Sequence, residues 1–394
     1  MTTFADLNLD EKILIALERM GYKTPSPIQT QAIPLVLEGR DLIALAETGS
    51  GKTAACAIPI CHKVDPARPE VQALIVVPTR ELALQYAVET QKIGKEKGVS
   101  AFALYGGEDM GLQQAKLKAG CQVLVATPGR LIDLIYQRLI DLRHVETLIL
   151  DEADEMLSMG FYEDLEFIIQ CLVHDHQTLL FSATMPAEIK KIAQAHMKEP
   201  AEVALITGRS GPESLDHFFV YCPEARERLG VLEGLFRKME PRQSLIFCRS
   251  REQTEEVAKA LRRKFQQVDF LHGGLAQPVR TVITNKFRRG QIRYLVVTDV
   301  ASRGLDFSGV THVFLFHLSH EVDLYTHRVG RAGRSGRTGV AVTLVTRREV
   351  ETVPKILKRI DRPAQWIGSP PPAGGGGEER PPRRAPRRSQ RRGA

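Results

Sequence analysis

A chain of 394 residues exceeds the ~250–300 residues at which single hydrophobic cores stop growing, so two domains are expected. At 43% hydrophobic and 26% charged residues its composition is that of a soluble globular protein, no apolar run nears the ~20 residues of a membrane-spanning helix, and residues 1–10 carry no secretory pattern. Seven arginines and two glutamates give residues 369–394 a net +5 of the chain's +7, so the remainder is nearly neutral and any anion-binding surface on it must be a local groove.

Residues 1–40 read as mostly helical: Ile13, Leu14, Leu17 and Met20 recur at helical spacing, and a second helix is predicted over 28–37 after the Pro25-Ser26-Pro27 turn. Strand-like runs, apolar on both faces, then alternate with helical stretches at 42–45, 73–77, 101–104, 123–126, 147–150 and 179–181. A polar linker near 207–214 interrupts this text, and the alternation restarts at 218–222, 244–248, 268–271, 294–298, 312–316 and 340–345. This order predicts α/β domains built on doubly wound parallel sheets. The Pro-, Gly- and Arg-rich end from Ser369 onward cannot bury a core and is predicted to be disordered. Six cysteines scattered among apolar neighbours, without paired spacing, read as buried free thiols in a reducing cytoplasm, with no zinc site.

Residues 46–53, Ala-Glu-Thr-Gly-Ser-Gly-Lys-Thr, lie between an apolar run and an Ala-rich helical segment. A strand, a glycine-rich turn and a helix start make a phosphate cradle: Thr48, Gly49, Ser50 and Gly51 present backbone N–H groups, Lys52 reaches outer phosphates, and Thr53 holds Mg²⁺. Asp151-Glu152-Ala153-Asp154 follows another apolar run, where ligands bind in such sheets. There Asp151 is placed to hold Mg²⁺ through waters, Glu152 to polarise an attacking water, and Asp154 to support its neighbours. The Ser182 and Thr184 hydroxyls are expected to hydrogen-bond the acidic loop's carboxylates. Pro78-Thr79-Arg80, Gly106-Gly107 and Thr127-Pro128-Gly129-Arg130 each end a strand and offer hydroxyls, close backbone approach or an arginine, the groups used against phosphate and sugar. In the second half, Arg328, Arg331 and Arg334 recur at spacing three, with small glycines between them that allow close approach to a phosphate.

With Asp151-Glu152-Ala153-Asp154, the phosphate loop and these segments in this order, the chain resembles the DEAD-box ATP-dependent RNA helicases, of bacterial type, over about residues 4–346. The resemblance implies two tandem RecA-like domains, at 1–207 and 215–368, joined by a linker at 208–214 and followed by the basic tail at 369–394. It implies that ATP and Mg²⁺ are bound, with Gln29 reading adenine through an amide that both donates and accepts and Phe4 stacking near the base. Asp306 is implied to contact the ATP ribose, Arg331 and Arg334 to act as arginine fingers supplied in cis, and His327 to contact the Ser182–Thr184 loop. Arg249, Gln277, Arg280, Thr298 and Arg303 match further RNA contacts, and Gly274 departs from the family's usual Asp. The implied activity is RNA-stimulated ATP hydrolysis coupled to local duplex unwinding or RNP remodelling by a cytoplasmic monomer, with ribonucleoprotein or ribosomal assembly partners and no membrane. Two alternatives use much of the same text: an ATP-dependent RNA clamp that unwinds little, and a DNA translocase, which the Gln29 segment and the Asp-Glu-Ala-Asp spelling argue against.

The tail is expected to tether RNA without sequence preference. Truncation after Gly368 then weakens RNA affinity and flattens its salt dependence while leaving basal ATPase unchanged, as measured by anisotropy titrations at several salt concentrations. Unchanged RNA affinity contradicts that role.

Overall fold

A computed structural model of the chain describes residues 2–46, 49–205, 215–299, 309–319, 322–333 and 338–372. The expected linker at 208–214, Thr48, Arg303, Asp306, Arg334 and the tail beyond residue 372 lie outside the described residues.

The first helix, Glu11–Arg19, is capped by Asp10, whose side chain accepts the Lys12 N–H at 2.8 Å, and it buries Ile13, Ala16 and Leu17. The second, Pro27–Leu37, starts with a proline at its first turn and a capping box in which Gln29 answers Ser26. The strands follow as β1 (Leu42–Leu45), β2 (Ala73–Val76), β3 (Ala101–Leu104), β4 (Val123–Ala126), β5 (Thr147–Leu150), β6 (Gln177–Ser182), β7 (Ala201–Ala204), β8 (Leu215–Tyr221), β9 (Ser244–Phe247), β10 (Val268–Leu271), β11 (Tyr294–Val297), β12 (His312–Leu315), β13 (Gly339–Val345) and β14 (Gln365–Trp366). They form two parallel seven-stranded sheets, ordered β3-β4-β2-β5-β6-β1-β7 and β10-β11-β9-β12-β13-β8-β14.

Successive strand residues point to opposite faces, and both faces are covered. In the first sheet Leu42, Ala44, Ile75, Val125, Ile149 and Leu179 enter one core, while Ile43, Leu74, Val76, Leu124, Leu148 and Leu180 enter the other. The second sheet divides Leu245, Phe247, Leu295 and Val313 from Ile246, Tyr294, Val296 and Phe314 in the same way. Each large side chain so buried contributes roughly 1.5–3 kcal/mol of transfer free energy.

Two strands escape a search for doubly apolar runs. Ala201-Glu202-Val203-Ala204 alternates buried and exposed residues because β7 closes an edge, and β14 is only two residues long. The second sheet also begins earlier than expected, at Leu215, where Asp216 and His217 break the apolar run. Five cysteines are buried and Cys171 is partly so; burial pushes the thiols of Cys61, Cys121 and Cys248 up to about 12, which makes them poor nucleophiles. Among the described residues no helix is long and apolar enough to cross a membrane.

Candidate functional site

The residues singled out from sequence gather at the carboxyl ends of the strands, where the loops of the two sheets face each other. After β1 the chain turns through Gly49 (φ +89°) and Gly51 (φ +99°) into the helix Lys52–Lys63. A Cβ at position 51 would lie 2.7 Å from Gln29 Nε2 and 2.8 Å from Ser26 Oγ, so the left-handed turn and the crowding both require glycine. Ser26 Oγ donates to the Ser50 carbonyl at 2.9 Å, and Gln29 Nε2 to the Gly51 carbonyl at 3.2 Å, while Gln29 Oε1 accepts the Ser26 N–H at 2.9 Å. The segment expected to read a base is thereby fastened to the phosphate loop, and the Gln29 amide already serves that loop. Phe4 is buried edge-to-face against Tyr22, 6.0 Å between ring centres. Lys52, 6% exposed, donates to the Ala46 carbonyl at 3.0 Å and stands 3.9 Å from Asp151 Oδ1. Thr53 follows it in the first turn, partly buried.

At the end of β5, Asp151 Oδ1 accepts the Glu152 N–H at 2.8 Å and Oδ2 accepts the Tyr86 hydroxyl at 2.6 Å. Glu152 holds φ +53°, a left-handed conformation uncommon outside glycine, at the start of the helix Ala153–Ser158. Burial raises the pKa of its carboxyl, and the charges of Arg331, from the second sheet's side, and Lys52 pull it back. A carboxyl balanced in this way is suited to accept a proton. Arg331 is itself 8% exposed.

Asp154 Oδ2 accepts both the Thr184 N–H and the Thr184 hydroxyl at 2.8 Å. Ser182 behaves differently from expectation: its hydroxyl accepts the Asp154 N–H at 3.3 Å and donates to the Thr184 carbonyl at 2.7 Å, so it binds backbone rather than a carboxylate. His327 reaches this network through the acids, with Nε2 3.9 Å from Asp154 Oδ2 and Nδ1 3.6 Å from Glu155 Oε2. Its expected contact with the Ser182–Thr184 loop is therefore one residue removed, through Asp154.

The strand-end groups expected to face nucleic acid form a second cluster. Thr79 caps the helix Arg80–Gly94, its hydroxyl accepting the Leu82 N–H at 3.3 Å, and Pro78 precedes it, buried. Gly107 (φ +82°) leaves room for the Arg80 guanidinium, which a Cβ would meet at 2.5 Å; Gly106 beside it is open. Arg130, in the first turn of the helix Pro128–Tyr136, donates to Gln113 Oε1 at 2.8 Å and to the Glu108 carbonyl. Across the cleft, Arg80 donates to Gln277 Oε1 at 2.9 Å, and Arg280 pairs with Glu81 at 2.8 Å, with side chains 13% and 11% exposed. Two of the expected RNA contacts from one sheet's loops are thus bonded to the other's. A crevice of about 460 Å³ adjoins this contact, lined by Tyr22, Leu84, Val88, Gln277, Thr281 and Arg288. Thr298 is buried at the end of β11 and Arg249 is exposed after β9. Gly274 donates its N–H to His272 Nδ1 at 3.1 Å, and a Cβ there would crowd His272 and Arg251 at 3.2–3.3 Å, which suits a glycine where an aspartate was expected.

Several residues of the site have partners that the sequence did not indicate. Arg328, expected to share the phosphate-facing role of Arg331, instead grips Asp299 at 2.6 and 2.7 Å, just past β11. Glu81, next to Arg80 in the same RNA-facing segment, and Tyr86 act through partners far away in sequence. Among the described residues no group of three His, Cys, Asp or Glu could hold a metal. A buried carboxylate such as Asp151 suits a hard cation that takes its other ligands from phosphates and water.

The model for DEAD/DEAH box helicases matches residues 26–192, and that for the helicase conserved C-terminal domain matches residues 227–336. The chain is 44% identical over 347 residues to the DEAD-box ATP-dependent RNA helicase CshA of Bacillus subtilis, covering 88% of this chain and 70% of that protein. Among solved structures, S. cerevisiae Dbp5 bound to RNA and ADP BeF3 superposes with a TM-score of 0.86 at 28% identity, over 93% of this chain and 96% of that one. A DEAD box protein from Methanococcus jannaschii is 36% identical over the same share of this chain and 99% of its own, yet scores only 0.55.

Burial alone would lower the His327 pKa, but the nearby carboxylates of Glu155 and Asp154 raise it above the ordinary 6.5. The protonated ring therefore favours the closed lobes: its contribution is full below the ordinary value and is lost as pH rises through the raised one. Release of a non-hydrolysable ATP analogue and RNA is expected to accelerate as pH rises above 6.5 in the wild type, and to be flatter in His327→Gln. Identical pH profiles contradict the assignment.

Proposed function

The chain belongs to the DEAD-box family of ATP-dependent RNA helicases, and from that premise we propose that its two lobes, residues 1–207 and 215–368 about a linker at 208–214, hydrolyse ATP only when closed together on RNA. The observation that carries this reading is the approach of Arg331 to Glu152 from the opposite lobe, near enough for its charge to counter part of the effect of burial on the carboxyl.

Each role follows from placement. Lys52 and the backbone N–H groups of Gly49–Thr53 neutralise phosphate charge, with Thr48 in the same loop. Thr53 and Asp151 hold Mg²⁺, which supplies charge neutralisation at the phosphates. Glu152 takes the proton of the attacking water, and Arg331 with Arg334 stabilises the charge that develops on the transferred group. Gln29, fastened to the loop it serves, and Phe4 set the base end of the site, and Asp306 the ribose. Asp154 links this chemistry to Ser182, Thr184 and His327, so the hydrolytic loop and the second lobe share one carboxylate.

On RNA, Pro78, Thr79, Arg80, Gly106, Gly107 and Thr127–Arg130 grip one strand from the first lobe, and Arg249, Gln277, Arg280, Thr298 and Arg303 from the second. These groups meet phosphates and sugars, so RNA is preferred to DNA without strong sequence preference. ATP and RNA each favour closure and therefore assist each other's binding. Closure bends the bound strand and expels its partner, and hydrolysis reopens the cleft. The protein acts as a cytoplasmic monomer on ribonucleoprotein or ribosomal assembly substrates.

Steady-state ATPase with single-stranded RNA, with DNA and with neither is the direct trial. RNA alone is expected to stimulate, and Arg331→Ala to lower the stimulated rate by about 10³-fold. An RNA-independent rate, or equal stimulation by DNA, overturns the reading.

A further inference from the structure

Asp151 is held by a donor that lies outside the phosphate loop and the acidic loop. Tyr86 sits within the helix Arg80–Gly94, fully buried, and its hydroxyl donates to Asp151 Oδ2 at 2.6 Å. Behind it lies Cys56 of the helix Lys52–Lys63, also fully buried. A phenol is protonated at neutral pH, so the Tyr86 hydroxyl is the donor and Asp151 Oδ2 the acceptor.

The torsion that turns an aspartate carboxylate is broad, so one donor does not fix its plane. Here the Glu152 N–H engages Oδ1 and the Tyr86 hydroxyl engages Oδ2, one donor on each oxygen. Each oxygen keeps one further lone pair with which to accept. We propose that Tyr86 is a positioning residue that locks the Asp151 carboxylate in the orientation in which it receives Mg²⁺ with the nucleotide. The inference rests on the assignment of Mg²⁺ to Asp151, and its strength is that of outer-shell partners, whose removal typically costs 10–100-fold in metal affinity.

The test compares the full-length protein with Tyr86→Phe, which keeps the ring and deletes only the hydroxyl. Binding of a fluorescent ADP is measured with Mg²⁺ and with chelator, and melting temperature is recorded alongside. The affinity gained on adding Mg²⁺ is expected to shrink about tenfold or more in Tyr86→Phe, with chelator-state affinity within about twofold of wild type. An equal Mg²⁺ gain in both proteins, with only the melting temperature lowered, shows a structural hydroxyl and overturns the inference. No Mg²⁺ gain in the wild type instead removes the underlying Mg²⁺ assignment. Should Tyr86→Phe not fold, 3-fluorotyrosine placed at position 86 of the otherwise wild-type chain decides: its fluorine resonance moves when Mg²⁺ is added to the ADP complex under the proposal, and an unmoved resonance overturns it.

Discussion

Glu152 and Arg331 come from different lobes, and each is more than nine-tenths buried. A carboxylate or guanidinium buried without its partner loses several kcal/mol of hydration, and the attraction of two opposite charges buried together repays part of that loss. The contact thus makes the burial of each group depend on the other lobe, and under the proposed reading the hydrolytic residues are assembled only when the lobes meet. The rest of the site hangs on that constraint. Lys52 and Asp151 are organised within one lobe, but the group that answers Glu152 arrives only with the other.

The second contact between lobes lies among the groups proposed to meet RNA. There Arg80 bonds Gln277, and Glu81 pairs with Arg280. Glu81 is the acid of this cluster, and its pairing with Arg280 occupies a cation suited to a phosphate. Between the two contacts runs Asp154, bonded to Thr184 on its own lobe and facing His327 of the other. One carboxylate loop thus holds the segment after β6 through hydrogen bonds at 2.8 Å and faces the second lobe through ion-pair contacts at 3.6 and 3.9 Å.

Much of this was legible in the sequence because it is written in contiguous text. The doubly apolar runs marked six strands of each sheet, since strands covered on both faces have no polar alternation to confuse with a helix. The phosphate loop and Asp151-Glu152-Ala153-Asp154 declared themselves by residue type and by following a strand. What escaped was non-local or small. β7 alternates as an edge strand does, and β14 is too short to read. Tyr86 looks like one more apolar residue on a helix, and only the fold shows that its hydroxyl meets Asp151, 65 positions away. Arg328 looked like a companion of Arg331, but its two bonds to Asp299 make it a brace for a loop. Ser182 and His327 were placed in the right neighbourhood, while their partners depended on distances that no spacing rule contains.

Closure is the claim on which the rest depends, and single-molecule energy transfer between dyes at exposed Glu38 and Lys259, one in each lobe, measures it directly. The wild-type protein is expected to populate the short-distance state fully only with single-stranded RNA and a non-hydrolysable ATP analogue together, and Arg331→Ala to remain largely in the long-distance state under the same conditions. Full closure with nucleotide alone, or closure of Arg331→Ala indistinguishable from wild type, contradicts the account.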